Sequence, residues 1–94
     1  MALATKLWDP AEFLDSDEAV AAYIAGALDD GDPALVAAAL GDVARARGMS
    51  RIANETGMSR ESLYKALNGK GNPEFGTVLR VMKALGLKLA AKPA

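Results

Sequence analysis

The chain has 94 residues, 51% apolar and only 5% aromatic, with no cysteine and no histidine. That length suits one small domain over 1–94, and the composition excludes disulfides, zinc sites, thiol nucleophiles and imidazole bases. The net charge of −1 conceals an opposition: residues 1–42 hold one basic and nine acidic side chains (−8), residues 43–94 ten basic and three acidic (+7).

Alanine and leucine dominate and β-branched residues are few, which favours close-packed helices over sheet. The longest apolar run, Ala34 to Leu40, is far shorter than the ~20 residues that cross a bilayer. No basic segment followed by an apolar run opens the chain, so a signal peptide is not expected. A soluble, cytoplasmic protein is the expectation, with no membrane, metal or cofactor.

Residues 1–8 read as a loose arm. Asp9-Pro10 is a cap-and-proline start for a short helical turn through Leu14, with Trp8 and Phe13 docking on the body. The next helix is expected over Ser16 to Leu28, capped by Asp15 with Glu18 three residues on. Its apolar stripe is Ala19, Val20, Tyr23, Ile24, Ala27 and Leu28. Asp29 and Asp30 then oppose the helix dipole. They read either as a solvated turn or as an acidic patch kept for a basic partner.

Asp32-Pro33 starts a helix that runs to Arg47 and is closed by Gly48. Leu35, Val36, Ala39, Leu40, Val43 and Ala44 are its expected inner face. Ser50 is expected to cap a short helix through Thr56, and Gly57 to make a turn with positive φ. Ser59 caps the following helix, Arg60 to Leu67 or Asn68. Gly69, Gly71, Asn72 and Pro73 make a loop. A last helix is expected over Phe75 to Leu85, ended by Gly86, with Val78, Leu79, Val81, Met82 and Leu85 apolar. Leu87-Lys88-Leu89 alternates, as a short extended segment does. The divisions are an acidic arm and helix (1–32), a helical core (33–86) and a tail (87–94).

Met49 to Asn68, MSRIANETGMSRESLYKALN, carries the chemistry. Two short helices joined by a glycine turn form a helix-turn-helix, which sets a helix into the major groove of DNA. Ala53 is small where the helices cross, Met58, Leu63 and Leu67 are anchors, and Ile52 and Ala66 fill between them. Arg60, Glu61, Tyr64, Lys65 and Asn68 share the opposite, wet face. Arg60 can make two hydrogen bonds to guanine. Ser59, Ser62 and Tyr64 can bond phosphates or bases, and Lys65, Lys70 and Arg51 are placed for phosphates. Glu61 can accept from cytosine N4 or orient Arg60 or Lys65, and orientation is the preferred reading.

Phe75, Val78, Met82, Leu87 and Leu89 exceed what a small core requires. They either close that core or form a two-fold interface. An enzyme is disfavoured because no base, nucleophile or metal cluster converges with the carboxylates. Gly69-Lys70-Gly71 lacks the rest of a phosphate loop, and Asp29-Asp30-Gly31-Asp32 lacks calcium-loop spacing. A module whose helical face meets protein rather than DNA is a further class.

Over about residues 8–89 the sequence resembles the addiction-module antidote proteins, a subfamily of Xre/Cro-like helix-turn-helix antitoxins related to HigA. The resemblance rests on WDPAEFLDSDEAVAAYI, GDPALVAAALGDVARARGMS and TGMSRESLYKALNGKGNPEFGTVLRVMKALGLKL, and SRESLYKAL followed by GNPEF is its most specific part. It implies an all-α, five-helix, lambda-repressor-like domain. It implies binding to a toxin of the RelE/ParE-like type and repression of the protein's own operon as a homodimer on double-stranded DNA. Ser59 to Lys65 match the family's DNA-binding positions. No short motif carries the toxin contacts, for which the acidic residues 1–42 are the physical candidate. The modest net charge departs from the pattern and implies that one copy neutralises too few phosphates without dimerisation. A stand-alone Xre-type repressor without a toxin is the alternative.

Overall fold

A computed structural model describes residues 14–94. Those residues form five helices and no strand: α1 (Asp17–Asp30), α2 (Pro33–Arg47), α3 (Met49–Thr56), α4 (Arg60–Ala66) and α5 (Phe75–Ala84). The expectations for Trp8, Asp9-Pro10 and Phe13 lie outside the described residues. Leu14, the end of that stretch, is buried and non-helical. No described helix is long and apolar enough to cross a membrane.

Helix starts follow side-chain chemistry, with two corrections. Ser16, not Asp15, caps α1, and its Oγ accepts from the Ala19 amide at 3.1 Å. Ser16 has the extended backbone a cap requires (φ −133°, ψ 158°). Asp32 caps α2 as expected, accepting from Ala34 N–H at 3.0 Å with Pro33 in the first turn. Ser50 caps nothing, because α3 begins one residue earlier, directly from Gly48.

Glycines decide the ends. α1 runs past Leu28 to Asp30 and stops at Gly31, which adopts φ 81° and donates to Ala27 O. α3 ends in a Schellman turn in which Met58 N–H bonds Ala53 O at 3.0 Å and Gly57 N–H bonds Asn54 O at 3.3 Å. Gly57 takes φ 74°, where a Cβ is strained. The same turn closes α5, with Leu87 N–H on Met82 O at 2.8 Å around Gly86. α4 stops at Ala66, one or two residues short of the expected Leu67 or Asn68, and α5 at Ala84, one short of Leu85. Leu87-Lys88-Leu89 lies in no regular element and forms no strand.

The core joins Val20 and Ile24 of α1, Leu40 and Val43 of α2, Ile52 of α3, Leu63 of α4 and Val81 of α5, all essentially fully buried. Burying side chains of this size contributes about 1.5–3 kcal/mol each. α2 is the hub, packing against α1, α3 and α5, while α4 is held mainly by α3. Three residues expected on apolar helix faces are exposed, Leu28 among them. Leu35 and Leu79 are the other two, whereas Ala37, Gly41 and Thr77 are buried. Gly41 is buried because the main-chain carbonyl of Leu67 lies against it.

Polar contacts lock α1 to α2. Tyr23 Oη donates to Asp42 Oδ2 at 2.6 Å, and Asp42 also pairs with Arg45. Arg47 at the end of α2 meets Asp17 at the start of α1 at 2.9 Å, so each charge also suits its own helix dipole. Thr56 Oγ1 donates back to the carbonyls of Ile52 and Ala53 at 2.9 and 3.0 Å. Among the described residues no buried side-chain polar atom lacks a partner.

Candidate nucleic-acid interface

α3 and α4 are separated by Gly57, Met58 and Ser59 alone. Met58 tucks against the core from this turn, and Ile52, Ala53 and Leu63 are buried between the two helices and the body. Leu67, just past α4, is buried as well. With its apolar side consumed in this way, α4 turns the rest of its surface outward.

Arg60, Glu61, Ser62, Tyr64 and Lys65 are exposed, as are Ser59 before the helix and Asn68 and Lys70 after it. The first turn is tightly organised. Ser59 Oγ accepts from the Ser62 amide at 3.0 Å and donates to Ser62 Oγ at 2.9 Å. The Arg60 guanidinium carbon lies 5.9 Å from the centre of the Tyr64 ring. One turn of helix separates the two, and a guanidinium over an aromatic face is held there by cation–π attraction.

Three of the candidate residues have contacts within the chain that bear on their expected roles. Glu61 makes no ion pair with Arg60 or Lys65 among the described residues, and the side chain that lies beside the Arg60 guanidinium is Tyr64. Asn68 folds the loop after α4: its Oδ1 accepts from Lys70 N–H at 2.8 Å and Gly71 N–H at 3.2 Å. Arg51 is exposed on α3 but engaged with Glu55, one turn on, at 3.2 Å.

Sequence reasoning missed two cations beside Arg51. Arg47 and Lys83 join it around a cleft of about 270 Å³ that Asp17 also lines. Arg47 is readable only as a helix-end charge, and nothing local connects Lys83 to either arginine. Their meeting comes from the packing of α5 against α3.

The five residues expected at a two-fold interface separate in the structure. Met82 is 4% exposed and belongs to the core, and Val78 and Leu87 are half-buried against it. Phe75 is 65% exposed and Leu89 37%.

A family model described as a probable addiction module antidote protein matches residues 4–93. An uncharacterized protein of Haemophilus influenzae is 53% identical over 83 residues, covering 88% of this chain and 86% of its own length. No solved structure matches. With nearly the whole chain matched, the protein belongs to the family of probable addiction module antidote proteins.

Proposed function

We propose that this protein is the antidote half of a toxin–antidote pair, that it neutralises a RelE/ParE-like toxin by direct binding, and that it represses its own operon through α3 and α4. In this reading the fold is an Xre/Cro-like helix-turn-helix and α4 is the recognition helix. The observation that carries it is the outward face of α4. Arg60 is braced on Tyr64, Lys65 follows, and none of them is used to hold the fold together.

Arg60 addresses a guanine edge, with Ser59, Ser62 and Tyr64 as neighbouring donors. Lys65, Lys70 and Arg51 neutralise phosphates and set the register of the helix on the duplex. One copy offers few cations, so the repressor acts as a homodimer on half-sites about one helical turn apart.

Footprinting on the DNA upstream of the gene tests this reading. The expected result is a protected palindrome, bound more tightly than a shuffled duplex of the same length. Equal affinity for both duplexes rejects sequence-specific repression.

A further inference from the structure

Among the described residues the most exposed large apolar side chain is Phe75, and it does not stand alone. With Leu28, Val36, Val78 and Leu89 it lines a groove of about 350 Å³ between the α1–α2 turn and the start of α5. Leu28 and Leu89 remain 38% and 37% exposed there, so the described residues only partly fill the groove. The positions flanking its lining residues in sequence are mostly carboxylates: Asp29 and Asp30 follow Leu28, Asp32 lies between Gly31 and Pro33, and Glu74 precedes Phe75, against one cation, Lys88, before Leu89. All four carboxylates are exposed, and none forms an ion pair among the described residues. Asp29 and Asp30 sit at the C-terminal end of α1, where negative charge opposes the helix dipole, so they are there at a cost to the fold.

We infer that this groove is where the toxin docks, taking an apolar side chain of the toxin into the space beside Phe75 while basic residues around that side chain meet Asp29, Asp30, Asp32 and Glu74. The inference rests on the antidote reading. Opposite charge selects the occupant: a basic partner gains from the rim, and a neutral or acidic one does not. A second copy of this chain is a poorer fit. Docking groove to groove about a two-fold axis brings two surfaces of the same negative sign together, because an isologous contact uses the same patch on both subunits. The homodimer therefore pairs through another face. The groove is also separate from the α4 surface, so toxin and DNA do not compete for the same side chains.

A photo-cross-linking amino acid placed at position 75, and as a control at position 64, identifies the occupant in the host cell. Position 75 is expected to capture a protein of net positive charge that arrests growth when expressed alone, and position 64 is expected not to capture it. Capture of a second copy, of residues 1–13 of the same chain, or of nothing at position 75 overturns the inference. The captured protein then serves as the probe for binding by wild type, Phe75→Glu, the Asp29→Lys/Asp30→Lys double variant, and Leu35→Glu as an exposed apolar control outside the groove. Phe75→Glu is expected to weaken binding by roughly 10-fold or more. The double variant is expected to slow association and flatten its salt dependence, and Leu35→Glu to bind as wild type does. Equal binding by Phe75→Glu and wild type, with both melting at the same temperature, overturns the groove assignment. If wild type itself fails to relieve the growth arrest, the antidote reading fails instead.

Discussion

The main-chain carbonyl of Leu67 occupies the space into which a side chain on Gly41 would project. Gly41 lies in the middle of α2 and Leu67 immediately after α4, so this contact brings the end of the outward-facing helix onto the hub of the fold. Backbone meets backbone here, and neither atom can swing aside as a side-chain tip can.

Gly41→Ala is therefore expected to destabilise the protein. In an open helix the same change stabilises by about 0.5–1 kcal/mol through propensity. Forcing a methyl into a filled site costs about 1–3 kcal/mol, and more where backbone must move. The net expectation is a loss of about 1–2 kcal/mol, or roughly 5–15 °C in melting temperature for a domain of this size. Thermal melting by circular dichroism checks it, and an unchanged or raised Tm contradicts the close approach.

Tyr23 gives the fold a defined response to alkali. Burial, then its hydrogen bond to Asp42 and the charge of that carboxylate, push its phenol from 10 up to about 12, with Arg45 opposing in part. An acid whose pKa rises on folding holds its proton more tightly in the native state. Its contribution is complete below pH 10 and is lost as the pH rises from 10 to about 12. Tyr23→Phe removes the bond to Asp42 and is expected to cost about 1–2 kcal/mol at neutral pH. In urea titrations at increasing pH, the gap between wild type and variant should close across that window. A gap that stays constant through pH 12 rules out the coupling.

On α4, Arg60→Ala is expected to lose about 1–3 kcal/mol of specific DNA affinity while binding to unrelated DNA changes little. Because Arg60 leans on the ring of Tyr64, Tyr64→Phe should keep most of the specificity and Tyr64→Ala should lose part of it. Gel shifts on cognate and shuffled duplexes measure both. If Arg60→Ala discriminates between the two duplexes as well as wild type does, α4 is not the reading helix.

Salt dependence separates positioning from reading. Lys65 and Lys70 form no ion pair among the described residues, so both are available to phosphates. Lys70→Gln should weaken binding to all sequences alike. It should also lower the slope of log K against log salt by about 0.9 per phosphate contact removed, hence by about 1.8 in a dimer. An unchanged slope takes Lys70 out of the interface.

The local events of this fold are written in the sequence, since each depends on a few neighbouring residues. Asp32-Pro33 and Ser59 start helices because their side chains meet amides two or three positions away. Gly57 ends one because only a residue without Cβ takes φ 74° easily. The spacing of Ile52, Ala53, Leu63 and Leu67 already says which side of α4 is wet. What required the assembled structure is whatever depends on residues distant in sequence. Gly41 against Leu67, Tyr23 on Asp42, Arg47 and Lys83 beside Arg51, and Phe75 across from Leu28 are all pairings that helical periodicity does not contain. Leu35 and Leu79 show the same limit. Periodicity marks the apolar side of a helix, but how far that side is covered depends on where its neighbours stop.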